Sequence, residues 1–497
     1  MKFGLSDQQL NEIKAIIRAD GSITRAILFG SRALGTYKEA SDIDIAIDGE
    51  SVTALTAAAL KARLEDETDA PFVFDIVAMP SVESSALLAH IKEHGVVIFG
   101  GGGEWTPRKL GDFLKVKHGF AFKGSSITTD ETSNILVTPG NFGIGGGFKD
   151  HKFKYCNGPF PEEYLFASGD IVVTMTDLSK EGDTLGYSAK VPNLAGKNFL
   201  HNQRVGKVLI KNSDLSADYC YWLMRTRDYQ QFIVSSASGT SIRHTSPSTI
   251  ESFGFDLPPL GEQKAIAEVL SSLDDKIDLL HRQNKTLESI AETIFRHWFI
   301  DGAQDDWEVG VLNDEFDYVM GLSPPGLSYN EDGLGMPMYQ GNADFRFRFP
   351  SRRVFTIDPK RVAQRFDTLI SVRAPVGEQN MAAEACCIGR GVAAFRYKRN
   401  PAFYSYCYFK LRSLMAEIQQ FNETGTVFGS VSKADFDAFK ITIPPQSLVD
   451  QFQITTKGLD DKVIQNCEQI TKLEKLRDTL LPKLMSGDVR VDYEAAA

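Results

Sequence analysis

The sequence predicts an α/β multidomain chain. A small N-terminal α/β domain comes first. Two further α/β domains follow, separated by two long antiparallel coiled-coil helices with pseudo-twofold symmetry. Three observations predict this. A block of sequence occurs twice, 186 residues apart. Each copy carries a sustained seven-residue apolar repeat. The first 99 residues share neither feature and alternate helix-like and strand-like patterns instead.

A chain of 497 residues has room for about three to four domains of ~150 residues. With 42% hydrophobic residues it can bury real cores. It has no apolar run of about 18 residues, so no transmembrane helix is expected. The start, "MKFGLSDQQLNEIK", lacks the apolar centre of a secretory signal. The six cysteines show no C-x-x-C spacing, and Cys386 and Cys387 are adjacent. A reduced, cytoplasmic protein without structural zinc is expected. The net charge of -11 argues against a general polyanion binder, but it is uneven. Residues 1–100 carry -6 and 258–306 carry -5, whereas 105–257 carry +2 and 307–443 carry +1. The positive charge collects between the helical blocks, which suits local nucleic-acid contacts.

In residues 1–99 an amphipathic stretch, "DQQLNEIKAIIRA", precedes "LFGSRALGTYKEASDIDIAI". "AILFGS" reads as a strand and "DIDIAI" as a second one with alternating faces. A strand has a period of two, so Asp42 and Asp44 share a side. Asp75, in the strand-like "FVFDIVAM", offers a third carboxylate. Carboxylates so paired can hold a divalent metal that bridges a nucleotide's phosphates. Gly30-Ser31 lets the backbone approach those phosphates closely. Gly30-Ser31, ten residues, then Asp42-Ile43-Asp44 resembles the signature of minimal nucleotidyltransferases. These are small polymerase-β-like domains, often found as antitoxins beside toxin partners. The resemblance implies Mg²⁺ and a nucleoside triphosphate, commonly ATP, with transfer of a nucleotidyl group to an acceptor. Gly100–Gly103 then read as a flexible linker.

The duplication starts beyond that linker. "LPPLGEQKAIAEVLSSLDDKI" begins at Leu257 and "IPPQSLVDQFQITTKGLDDKV" at Ile443. The match extends upstream. Trp105 in "EWTPRKLGDF" parallels Trp307 in "DWEVGVLNDEF", and "GDIVVTM" at 169 parallels "FDTLISV" at 366. "QRVGKVLI" parallels "GRGVAAFR", and Gly239-Thr240 parallels Gly425-Thr426. A period this long is a duplicated domain, not a solenoid unit. The expected extents are 1–99, a linker at 100–103, a first recognition domain at 104–258 and a helix at 259–304. A second such domain at 305–444 and a second helix at 445–490 complete the chain.

Within the first block Ile266, Leu273, Leu280, Leu287 and Ile294 recur every seven residues, with Leu270, Ile277, Asn284, Ala291 and Trp298 between them. The second block has Phe452, Leu459, Leu473 and Leu480, with Val463, Ile470 and Leu484. These are a/d seams of a coiled coil. Each has one uncharged polar intruder, Asn284 and Asn466, and Arg477 also falls on the second seam. A helix of ~35 residues spans on the order of 50 Å, enough to hold two domains apart.

"LPPLGEQKAIAEVLSSLDDKI" together with the terminal "LRDTLLPKLMSGDVRV" resembles the two constant regions of the DNA-specificity subunit of type I restriction-modification systems. The resemblance spans about residues 104–492. It implies two target-recognition domains, each reading half of a split, asymmetric target in double-stranded DNA. It also implies docking of two adenine-methylating subunits that use S-adenosylmethionine, and of ATP-driven motor subunits where the complex restricts. The specificity part itself would need no cofactor. Contact residues do not carry over, because the family varies most in these domains. From residue chemistry alone, the first domain offers Lys117, His118, Lys123, Arg243 and His244 for DNA. The second offers Arg346, Arg348, Arg373 and Ser430. The chain has no N-P-P-Y/F methyltransferase signature, "CNGPF" at 156 lacking the second proline, and no G-x-x-x-x-G-K-[ST] loop. Methylation and motor activity are therefore expected of partners. The alternative expectation is a Mg-dependent nucleotidyltransferase, or an antitoxin-like scaffold, targeted to DNA by the recognition domains.

Overall fold

A computed structural model describes residues 3–38, 41–49, 51–68, 72–100, 105–177, 179, 182–239, 242–420 and 429–491. The linker glycines Gly101–Gly103 and the repeat residues Thr240, Gly425 and Thr426 lie outside them. The chain divides into two compact units, Met1–Ser272 with Leu476–Ala497, and Leu273–Lys475.

The first unit begins with α1 (Asp7–Arg18), β1 (Arg25–Phe29), α2 (Gly30–Ala33), β2 (Ile43–Asp48), α3 (Ala54–Glu67), β3 (Phe74–Ala78), α4 (Ser85–His94) and β4 (Val96–Gly100). The "DQQLNEIK" stretch forms α1 because Ser6 caps it, accepting from the Gln9 amide while Gln9 reaches back. The four strands make one sheet in the order β3-β2-β1-β4. β2 and β3 run parallel, and β1 is antiparallel to both of its neighbours. Ile13 and Ile17 of α1 and Leu60 and Leu64 of α3 bury against Ile43, Ile45 and Ile47 of β2. That apolar face leaves the carboxylates of β2 on the other one.

The duplication is visible as strand order. The first recognition domain has a four-stranded antiparallel sheet built from Ser188–Lys190, Ile171–Thr174, Val205–Ile210 and Leu114–His118, in that spatial order. The second repeats it with Gln379–Met381, Thr368–Ser371, Val392–Tyr397 and Phe316–Met320. A five-stranded sheet accompanies each, again in matching order. Each five-stranded sheet contains one parallel pair, Asn134–Val137 with Asn198–His201 and Met336–Tyr339 with Cys386–Ile388. Strand pairing corrects one alignment read from sequence. Val205 bonds opposite Thr174, and Val392 opposite Ser371, so "VGKVLI" matches "VAAFRY" one residue later than "QRVGKVLI" against "GRGVAAFR" implies. A one-residue slip would turn every side chain of the strand to the wrong face.

Both copies keep one strained turn before the matching strand. Gly169 has φ +85° and its counterpart Phe366 has φ +71°. The next residue, Asp170 or Asp367, accepts from a backbone amide three residues earlier. Each aspartate also pairs with a basic residue of the neighbouring strand, Lys207 at 2.5 Å and Arg396 at 2.5 Å.

The long helices cover Leu260–Phe299 and Gln446–Met485, 40 residues each. In the first unit Ile266, Ala267 and Leu270 share a core with Leu484. In the second, Ile277 and Leu280 meet Ile470, while Ala291 and Phe295 meet Val449 and Phe452. In the second unit the numbering of one helix rises as the other falls, so the pair is antiparallel there. The two polar intruders meet. Asn466 Nδ2 donates to Asn284 Oδ1 at 2.9 Å, with both residues fully buried. The strict heptad fails beyond Asn284. The buried row is Glu288, Ala291, Phe295 and Phe299, and the expected Leu287, Ile294 and Trp298 are only partly buried. A helix with 3.6 residues per turn drifts about 20° per heptad. Here the drift lets the helix meet the aromatic core of the second domain, around Tyr406 and Phe409, while it still packs on Phe452 of its partner. The second helix shifts likewise, burying Asp460 where Leu459 was expected.

Candidate functional site

Two sets of residues need placing. In the N-terminal domain Gly30 sits at the β1–α2 junction with φ +69°. A Cβ at this position would run into the Asp44 carboxylate, so glycine is required on two independent grounds, conformation and space. The register pairs Phe29 with Asp44 and Asp44 with Asp75. Gly30, Asp44 and Asp75 are thereby brought side by side. Asp42 lies just before β2 and is exposed; Ser31 is half-buried. Partial burial, then the charges of Asp75 and Asp42, push the Asp44 carboxyl above its ordinary range. Among the described residues no three carboxylate, imidazole or thiol groups stand close enough to enclose one metal ion.

The residue that sequence reasoning missed is Arg32. It is 1% exposed, although nothing in "GSRAL" distinguishes it from a surface arginine. Its guanidinium donates to the Ser41 carbonyl (2.6 and 3.1 Å), the Asp42 carbonyl (3.0 Å) and the Phe3 carbonyl (2.9 Å). It also lies over the Phe72 ring, 4.4 Å from its centroid. One buried cation therefore fixes the backbone that carries Asp42.

Among the DNA candidates, Lys117 is tied to Glu163 at 2.8 Å and lies over the Tyr164 ring. His118 and Lys123 are exposed. Arg243 and His244 form a short strand against Thr176-Asp177, and Thr176 Oγ1 and His244 Nδ1 are 3.1 Å apart. In the second domain Arg373 and Ser430, both exposed, are brought together by a backbone bridge. Arg346 is exposed and donates to the Ala343 and Phe345 carbonyls. Arg348 does not belong with these. It is 3% exposed, pairs with Asp460 at 2.9 Å and Glu288 at 3.7 Å, and stacks over Tyr408 at 4.0 Å. Its charge is spent inside the protein, so it is not placed to meet DNA. The sequence could not reveal this, because the partners lie about 60 and 110 residues away.

Comparison with known proteins defines the class. Residues 102–289 and 304–473 match the family described as type I restriction modification DNA specificity domain. Residues 11–101 match polymerase beta, nucleotidyltransferase. The chain belongs to the type I restriction-modification specificity family, with a polymerase-β-like nucleotidyltransferase domain at its N-terminal end. It is 31% identical to a putative type I restriction enzyme MjaX specificity subunit of Methanocaldococcus jannaschii, over 78% of this chain and 94% of the relative. It is 27% identical to the MjaIX specificity subunit of the same organism, over 66% of this chain and 79% of that one. The crystal structure of the type I system S subunit from M. genitalium shares the fold, with a TM-score of 0.50 at 20% identity over 77% of this chain and 96% of that one.

Proposed function

We propose that this chain is the DNA sequence-specificity subunit of a type I restriction-modification complex. The observation that carries the reading is the duplicated domain, with matched strand order in both copies and one antiparallel helix pair joining them. Two non-identical readers in one chain call for a bipartite, asymmetric target. Affinity comes from lysine and arginine on phosphates and falls with salt; specificity comes from side chains that meet base edges. The domain extents read from sequence, 104–258 and 305–444 for the readers and 259–304 and 445–490 for the helices, belong to this proposal. So do docking to two adenine methyltransferase subunits, which use S-adenosylmethionine, the joining of ATP-driven restriction subunits, and a cytoplasmic location. Among the described residues no helix is long and apolar enough to cross a membrane.

The test is a methylome. The chain is expressed with its methyltransferase in a host free of adenine methylation, and N6-methyladenine is mapped genome-wide. The expected result is a single two-part asymmetric motif. Methylation that follows no sequence, from a soluble and assembled complex, would refute the reading.

A second reading concerns residues 1–99 and rests on the Gly30, Asp44 and Asp75 arrangement. The paired Asp44 and Asp75 carboxylates with Asp42 nearby, Asp44 being raised by partial burial and then by its acidic neighbours, suit a divalent cation such as Mg²⁺. Asp42, Asp44 and Asp75 would supply oxygen ligands completed by the nucleotide itself, and the ion would supply neutralising charge at the phosphates of a nucleoside triphosphate such as ATP. Gly30 and Ser31 admit the phosphates, and Arg32 holds the Asp42 backbone in place. Transfer of label from ATP to a protein or nucleic acid, lost in Asp42→Asn with Asp44→Asn, is the expected outcome. No transfer to any acceptor would refute catalysis and leave a binding scaffold.

A further inference from the structure

The internal duplication works as an alignment of the protein with itself. Where both copies keep the same backbone frame but carry chemically different exposed side chains, the difference is available for reading different sequences. Among the described residues the bridge before Ser246 and Ser432 meets this condition. In the first domain the Thr245 amide donates to the Met175 carbonyl at 3.1 Å, next to the Thr176–His244 pair. In the second the Val431 amide donates to the Val372 carbonyl at 2.9 Å, next to the Arg373–Ser430 pair. A serine caps the following short helix in both copies, Ser246 and Ser432. The loop beyond each bridge is held by its own side chain. Asp177 accepts from the Ser179 and Thr184 amides, and Ser371 bonds Pro375 and Glu378.

Other candidates fail the condition. Met320 stands opposite Ala393 as His118 stands opposite Gly206, so the positions of Lys117 and His118 are held by Val319 and Met320 in the second copy. Arg348 is buried.

We propose that this bridge sets the half-site each domain reads, through His244 in the first domain and Arg373 in the second. The inference rests on the specificity reading above. Backbone hydrogen bonds hold the bridge in both copies, so His244 and Arg373 are presented in a set orientation. Arg373 can make the bidentate contact to guanine O6 and N7. His244 has Nδ1 engaged with Thr176, so one ring nitrogen remains, and it can make a single contact to a base edge. Thr176 acts as a positioning residue for that imidazole. The second domain's half-site therefore contains a G·C pair read by Arg373. In the aligned copies Arg373 stands where the first domain has the buried Thr176, and Ser430 where it has His244, so the first domain's discrimination at this bridge is weaker.

The test uses the full chain in its methyltransferase complex and a duplex DNA pool with a randomised centre, followed by sequencing of the bound fraction. Arg373→Ala should relax one G·C position, by about 5- to 150-fold in discrimination. The other half-site and the spacing should stay unchanged. His244→Ala should alter the other half-site alone, and Thr176→Val should reproduce that effect more weakly. Arg373→Lys serves as a control that keeps charge and phosphate affinity; it should weaken the guanine preference less than Arg373→Ala does. Unchanged selected sequences in Arg373→Ala and His244→Ala would overturn the proposal. No sequence selection by the unsubstituted complex would overturn the specificity reading instead.

Discussion

Arg348 gives the sharpest test of how the second domain is held to the helix pair. Its guanidinium is 2.9 Å from Asp460, and the two side chains are 1% and 3% exposed. Glu288 is 3.7 Å away and also receives Arg412 at 2.7 Å. Arg348→Ala leaves Asp460 as a buried carboxylate without its cation, which costs about 3–5 kcal/mol. The lost stacking over Tyr408 adds about 1–2 kcal/mol. Arg348 also has φ +62°. Glycine accepts that conformation where alanine does not, so Arg348→Gly should be milder than Arg348→Ala by about 1 kcal/mol. Burial raises the Asp460 carboxyl and Arg348 pulls it down. Without the arginine the folded state holds a proton there that the unfolded state releases. The penalty should therefore shrink as pH falls and grow as pH rises. A chain with several domains does not unfold in two states, so the assay is native-state hydrogen exchange read on Thr368–Ser371 and Tyr404–Ser413. Exchange there should speed up by roughly 10³- to 10⁵-fold in Arg348→Ala. Arg348→Met with Asp460→Leu should restore most of the protection. A change of less than tenfold in Arg348→Ala would show that Asp460 does not depend on Arg348.

Other outcomes follow from single observations. His201 is buried, and burial lowers its imidazole to about 4. The folded state therefore holds it neutral while the unfolded state protonates below about 6.5. Stability of the first recognition domain should be full above pH 6.5 and fall by up to about 1.4 kcal/mol per pH unit down to pH 4. His201→Ile, which copies Ile388 at the end of the matching strand, should flatten that acid limb in a pH series of native-state hydrogen exchange read on Asn198–His201 and Val205–Ile210. Gly30→Ala should weaken the Mg-dependent ATP binding proposed for the N-terminal domain, read by calorimetry, because φ +69° disfavours alanine and its Cβ meets Asp44; circular dichroism separates this from loss of the fold. Asn284→Leu with Asn466→Leu should raise the melting temperature, because a buried polar pair is exchanged for apolar contact. The loss should appear as a broadened half-site spacing in selected DNA, because polar seam residues fix register.

The sequence by itself determined the architecture. A duplicated block and its seven-residue apolar rows are linear patterns, and they place two like domains and two long helices without any coordinates. The Gly30-Ser31 and Asp42-Asp44 spacing was equally legible, since alternation along one strand assigns a face. Tertiary structure alone decided which charges are spent internally. Arg32 and Arg348 read in sequence like any surface arginine, yet each is buried by partners remote in the chain. Tertiary contact also decided where the helix seam turns, because the burying surface at Phe295 and Phe299 comes from the second domain rather than the partner helix alone. It set the register of Val205 and Val392 through strand pairing, and it brought Arg373 beside Ser430. The physical reason is common to all four. Local pattern fixes which face of an element is apolar, but a charge's partner and a strand's register depend on segments tens of residues away, which periodicity cannot see.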